Sequence, residues 1–126
     1  MASDRKLIPT LRLRDGAPQQ SPPTRDAGPK AEYRVRAKVW LYPGKGGWHF
    51  ANLSSRQSRA IRARFGQDAR GWGSLPVSVR IGQTEWRTSL FPDGRSHTYL
   101  FALKAEVRRK EHITAGDTIT AAVRIR

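Results

Sequence analysis

From Glu32 onward, apolar side chains recur at every second position in a series of short runs. Tyr33, Val35, Ala37, Val39 and Leu41 alternate with Arg34, Arg36, Lys38, Trp40 and Tyr42. Leu75, Val77, Val79 and Ile81 alternate with Pro76, Ser78 and Arg80. Trp86, Thr88 and Leu90 follow, and Ile119, Ala121, Val123 and Ile125 repeat the pattern near the end of the sequence. A period of two places alternate side chains on opposite faces of a strand and does not fit a helix, whose faces repeat at three to four residues. Trp48 to Leu53 reads as a further short strand with mixed signals. In His97 to Leu103, Tyr99, Phe101 and Leu103 share one face and Thr98, Leu100 and Ala102 the other. Both faces are largely apolar, which predicts a strand with neighbours on both sides. Between the runs stand turn signals: the glycine-rich Pro43–Gly47, Arg70-Gly71-Trp72-Gly73, Pro92-Asp93-Gly94 and Thr114–Asp117. Gly82-Gln83 has glycine first, as a type II′ hairpin requires.

Two stretches break this alternation. Ser54 and Ser55 are both suited to cap a helix, because a serine hydroxyl accepts from the free N–H groups of a first turn. Ile61 and Phe65 then lie four apart on one face. Gly66 is expected to end this helix in the left-handed conformation that glycine takes cheaply. The second helix is expected over 104–112, with Glu106 near its positive end and Arg109 and Lys110 near its negative end.

About six strands and two short helices over roughly 95 residues predict an all-β fold, a small closed six-stranded barrel with the two helices capping its ends. Closing a sheet removes the unpaired edges through which strands aggregate. The domain is expected to occupy 31–126. Residues 1–30 carry Pro9, Pro18, Pro22, Pro23 and Pro29 among polar residues, and are predicted to be a disordered tail, too poor in apolar side chains to offset ordering entropy. Leu7, Ile8, Leu11 and Leu13 are its one apolar cluster.

The sequence contains no cysteine, so disulfides and thiolate zinc sites are excluded. No apolar run approaches membrane-spanning length, and the Leu7–Leu13 run is broken by Pro9 and Arg12, so it is not a signal-peptide core. A cytoplasmic protein without membrane contact is the expectation. The formal net charge is +14 from 24 basic and 10 acidic residues. Such an excess attracts polyanions.

Little here suggests enzyme chemistry. Two or three of His49, His97 and His112 would have to converge with a carboxylate to hold a metal. Ser89, Asp93 and His97 are the types of a hydrolytic triad, but nothing supplies an oxyanion hole or a strained nucleophile turn. No carboxylate pair stands out for acid–base work. Gly44, Gly46 and Gly47 follow a strand without the lysine and hydroxyl residue of a phosphate loop. No cofactor is expected.

The constellation with a mechanism is aromatic rings interleaved with cations. Trp40 and Tyr42 share a strand face with Arg34, Arg36 and Lys38, while Trp48 and Trp72 flank the basic helix. Bases stack on such rings while arginines hold phosphates. Arg56, Arg59, Arg62, Arg70, Trp72 and Trp40 are therefore the candidate polyanion-binding residues, whereas Trp86 is expected in the core. Lys104 and Arg108 lie four apart and would project together, forming a candidate pocket for an anionic ligand unless ion pairs with Glu111 or Asp117 absorb them.

Several segments resemble, in order, a bacterial family known as domain of unknown function 1905. They are Gly47–Leu53 (GWHFANL), Arg70–Val77 (RGWGSLPV), Trp86–Gly94 (WRTSLFPDG), Tyr99–Arg109 (YLFALKAEVRR) and Ala115–Thr120 (AGDTIT). The resemblance implies a small β-barrel with helical caps, like the double-split barrel of AbrB and MazE DNA-binding proteins, and implies no activity. Ser54 and Ala102 stand where family members often have proline. The leading functional expectation is a non-enzymatic module binding nucleic acid or another polyanion. The alternatives are a binding protein for a small anionic molecule with a pocket at the barrel mouth, and an accessory module that binds another protein. A continuous basic face, a pocket with convergent polar groups and an exposed apolar patch would favour these in turn.

Overall fold

The computed structural model describes residues 31–126; the expected tail over 1–30, with its Leu7–Leu13 cluster, lies outside them. Seven strands and two α-helices follow in the order β1 (Ala31–Lys38), β2 (Trp40–Leu41), β3 (His49–Asn52), α1 (Ser55–Phe65), β4 (Leu75–Ile81), β5 (Thr84–Asp93), β6 (Thr98–Ala102), α2 (Ala105–Glu111) and β7 (Thr118–Ile125). The strands form one antiparallel sheet in the order β1-β7-β4-β5-β6-β3-β2.

The sheet curls into a half-barrel and is not the closed six-stranded barrel expected. Two facts explain the difference. First, the run read as one strand changes partners at Val39. Residues before it pair with β7, from Ala31 opposite Ile125 to Lys38 opposite Thr118. Trp40 and Leu41 pair instead with Phe50 and His49 of β3. Val39 sits between, bonded at both its N–H and its carbonyl to the turn preceding β7. One alternating run therefore supplies both edge strands. Second, β1 and β2 share no ladder, and helix α1 joins the two parts of the sheet through side chains. Gln57 Nε2 donates to the Arg34 carbonyl of β1 at 2.7 Å. Ser58 Oγ, wholly buried, accepts the Tyr99 N–H of β6 at 2.9 Å. A side-chain bridge can be as short as a backbone ladder, but no period in a sequence announces it.

β5 bends in the same sense. Residues 84–90 pair with β4 and Phe91–Asp93 with β6. The concave side encloses the core: Val35, Val39, Ile61, Leu75, Val77, Val79, Leu90, Phe101, Leu103, Val107, Val123 and Ile125 are each almost completely buried. Burying side chains of this size contributes roughly 1.5–3 kcal/mol each, before entropy is subtracted. Leu41, expected in this set, is half exposed because the two-residue β2 lies at the sheet's edge.

The helix signals were local and the helices follow them, except at one end. Ser54 is the cap, its hydroxyl accepting the Gln57 N–H at 3.1 Å. Gly66 does not take the left-handed conformation: its φ is −59°, and the chain tightens into a 3₁₀ turn over Gly66–Asp68. The second helix has Lys104 as its cap residue and ends on His112 in the left-handed conformation. Gly82 has φ +58° and Gln83 is not left-handed, as a type II′ hairpin requires. The Arg70–Gly73 turn is expected to need backbone freedom at both glycines; Gly73 uses it, with φ +75°, but the second positive φ falls on Trp72, at +65°, rather than on Gly71. No helix among the described residues is long and apolar enough to cross a membrane.

Candidate functional site

The start of β3, the middle of β5 and the start of α2 meet around a pocket of about 390 Å³. Trp48 and Trp86 form apolar walls beside the His49 ring, and Arg87, Lys104 and Arg108 supply cations. Each cation is held differently. Arg87 points outward from β5, between Trp86 and Thr88. Lys104 leaves β6 as the residue before α2, with an exposed side chain. Arg108 is one turn further along the helix and half-buried; its Nε donates to the Leu103 carbonyl at 3.0 Å, which leaves its other nitrogens available.

None of the three forms an ion pair with a carboxylate among the described residues. Glu111, one expected partner, accepts from Thr84 Oγ1 at 2.6 Å. Asp117, the other, accepts from the backbone and hydroxyl of Thr114 at 2.9 and 3.3 Å. Elsewhere Lys110 pairs with Glu106 at 3.4 Å, and Arg124 pairs with Glu32 and Glu85 on the outer face of the sheet. Three cations left together without a counter-charge repel one another, and an anion entering the pocket would relieve that repulsion.

The Trp48 ring is placed by its loop. It lies over Gly46, where a Cβ would come within 2.6 Å of the indole Cδ1. Gly47 turns the chain with φ +68°, and its carbonyl accepts from His49 Nδ1 at 2.8 Å. The same ring is 58% exposed.

The residues picked out as a polyanion face are dispersed over several elements. Arg56, Arg59 and Arg62 are exposed along α1, but the Arg62 guanidinium sits 5.2 Å from the centre of the Tyr99 ring and is tied to it. Arg70 and Trp72 follow in the next turn, with Trp72 92% exposed. Trp40 is part-buried; its indole N–H donates to Asn52 Oδ1 at 2.6 Å and its ring packs 5.3 Å from Phe50. Trp86 is in the core, 6.4 Å from Phe101. Lys104 and Arg108 do converge, as their spacing implied. Arg87 was missed, because a lone outward arginine on a strand carries no signal until α2 is folded against it.

The triad types do not assemble. Asp93 turns its carboxylate to Ser96 Oγ at 2.8 Å and to the Arg95 N–H at 3.1 Å. Asn52 Nδ2 donates to it at 3.3 Å and to Thr98 Oγ1 at 3.0 Å. Partial burial pushes the Asp93 carboxyl up. The bonds from Ser96, Arg95 and Asn52, with the Arg95 charge, outweigh this and hold it below its ordinary value. His97 is not on a strand but in the left-handed conformation just before β6. No three potential metal ligands cluster among the described residues.

A family model described as "Domain of unknown function (DUF1905)" matches residues 36–123. No curated protein matches the chain.

Proposed function

The chain belongs to the domain of unknown function 1905 family, and on that premise we propose that it is a non-enzymatic binding module for an anionic ligand, received in the pocket of Arg87, Lys104 and Arg108. One observation carries the reading: three cations from two separate elements border one pocket, and none of them is spent on a carboxylate among the described residues. The tryptophan walls lower the local dielectric, so each cation acts more strongly there than on an open surface. A charge-assisted hydrogen bond contributes about 1.5–3 kcal/mol, or roughly 10- to 150-fold in Kd. Arg87 and Lys104 are both exposed, so their contributions fall below that range.

Calorimetric titration with inorganic phosphate and pyrophosphate at low ionic strength tests the proposal. Wild type should bind pyrophosphate, and the double variant Arg87→Glu/Lys104→Glu, which alters only outward side chains, should fold normally and not bind. Absence of any anion binding by the wild type refutes it. A polyanion lying along α1 is the second reading, favoured by the exposed Arg56 and Arg59 and by the exposed Trp72 ring beyond them. Retained oligonucleotide binding by the double variant would select it.

A further inference from the structure

Beside the cationic pocket, the outer face of β2, β3 and β6 is aromatic. Trp40, Phe50 and Ala102 are in register across the three strands. One step along, Asn52, Leu100 and Phe91 form the next row. Tyr42 and Trp48 close the end of the face, tied by a 2.8 Å bond from the Tyr42 N–H to the Trp48 carbonyl. The Trp48 and Phe50 rings are parallel within 5° at 6.2 Å, and Tyr42 meets Phe50 edge-on at 6.1 Å. Between them runs a groove of about 400 Å³ lined by Tyr42, Trp48, Phe50, Phe91, Leu100 and Ala102. Trp48 and Ala102 also line the cationic pocket, so groove and pocket adjoin and share two residues.

We infer that this surface is a single site for a nucleotide unit with an unpaired base, the phosphate at Arg87, Lys104 and Arg108 and the base stacked on Trp48 in the aromatic groove. The inference rests on the anion-binding reading of the pocket and adds the chemistry of the rest of the ligand. An anion alone has no use for the groove, and an apolar ligand alone has none for the cations. A ligand of matching chemistry carries a flat apolar ring a few ångströms from a negative charge. Ring-lined walls held in fixed orientations suit a planar partner, and stacking is tolerant of base identity. A paired duplex does not offer its base faces. A second copy of this chain fits poorly, since an isologous contact across the groove would bring two sets of the same cations together. Free nucleotide and single strand share this chemistry, and the test separates them.

The full chain is titrated, following tryptophan fluorescence and calorimetry, with five probes: pyrophosphate, a mononucleotide, an eight-nucleotide single strand, an abasic strand of equal length, and decyl phosphate. The base-bearing strand should bind more tightly than the abasic one and quench fluorescence. Trp48→Ala should weaken it about 5- to 150-fold, the range for losing one stacked base, and weaken pyrophosphate by a smaller factor, because Trp48 also walls the pocket. Phe91→Ala, at an exposed position that lines the groove and not the pocket, should weaken the strand and leave pyrophosphate affinity unchanged, and it serves also if Trp48→Ala fails to fold. A strand that outbinds the mononucleotide identifies single-stranded nucleic acid, and equal affinities identify the free nucleotide. Equal binding of the abasic strand, tighter binding of decyl phosphate, or self-association through the groove overturns the inference. Pyrophosphate binding without binding of any base-bearing probe overturns it and leaves the pocket reading standing; binding of neither removes both.

Discussion

Replacing Ser58 with alanine tests how the curled sheet is held together. Ser58 is wholly buried on α1, and its hydroxyl oxygen accepts the Tyr99 N–H of β6 at 2.9 Å. Removing the hydroxyl leaves a buried backbone donor without a partner. Such an orphan costs about 1–3 kcal/mol, because it loses water on folding and gains nothing. Alanine is the better helix former and returns roughly 0.5 kcal/mol. The net expectation is a loss of about 0.5–2.5 kcal/mol, or roughly 2–20 °C in Tm for a domain of this size. Circular dichroism melts of Ser58→Ala measure it, with Ser55→Ala as the control for an exposed serine on the same helix. Amide exchange adds a local reading, since the Tyr99 N–H should lose more protection than its strand neighbours. A Tm for Ser58→Ala at or above wild type would refute the claim that α1 completes the hydrogen bonding of the sheet. Equal losses in both variants would assign the effect to the helix alone.

Three further outcomes are expected. The Asp93 carboxyl is held below its ordinary value of 3.8, so the stability it contributes is present above that pH and is lost as pH falls through the lower, folded value; Asp93→Asn should abolish this part of the acid transition, seen in melts between about pH 2 and 5. Gly82→Ala should destabilise by about 1–2 kcal/mol in urea titrations, because the residue is left-handed and the new methyl group would strike Glu111, breaking its bond from Thr84 Oγ1. If α1 carries a polyanion, changing Arg56, Arg59 and Arg62 to glutamate should flatten the slope of log affinity against log salt by about two to three units, at roughly 0.9 per duplex phosphate contact; the Arg62 change also removes the contact with Tyr99, so the Tm of the triple variant is measured alongside.

What could be read from the sequence was local. Alternation identifies Leu75–Ile81 and Thr118–Ile125 as strands because the period of two is a property of the extended backbone itself. Ser54 announces its helix because a cap bonds within four residues. Lys104 and Arg108 could be paired in advance because one helical turn separates them. Everything that depended on which distant segment arrives next door was decided by the fold. Val39 sits inside an unbroken alternating run, yet the hydrogen-bond partner changes there, since the ladder with β7 stops at Thr118, that strand's first residue, and the ladder with β3 takes over at Trp40. Gly66 continues into a 3₁₀ turn although its residue type suits a left-handed stop. Trp86 and Trp72 are the same side chain, one buried and the other almost fully exposed, because only the first lies on the concave side of the sheet. The pocket is the extreme case. Arg87 and Lys104 are brought to one opening, with Trp48 as its wall, by hydrophobic burial elsewhere in the chain. Burial is non-directional and acts on the whole core at once, so no local pattern records where it will set polar residues side by side.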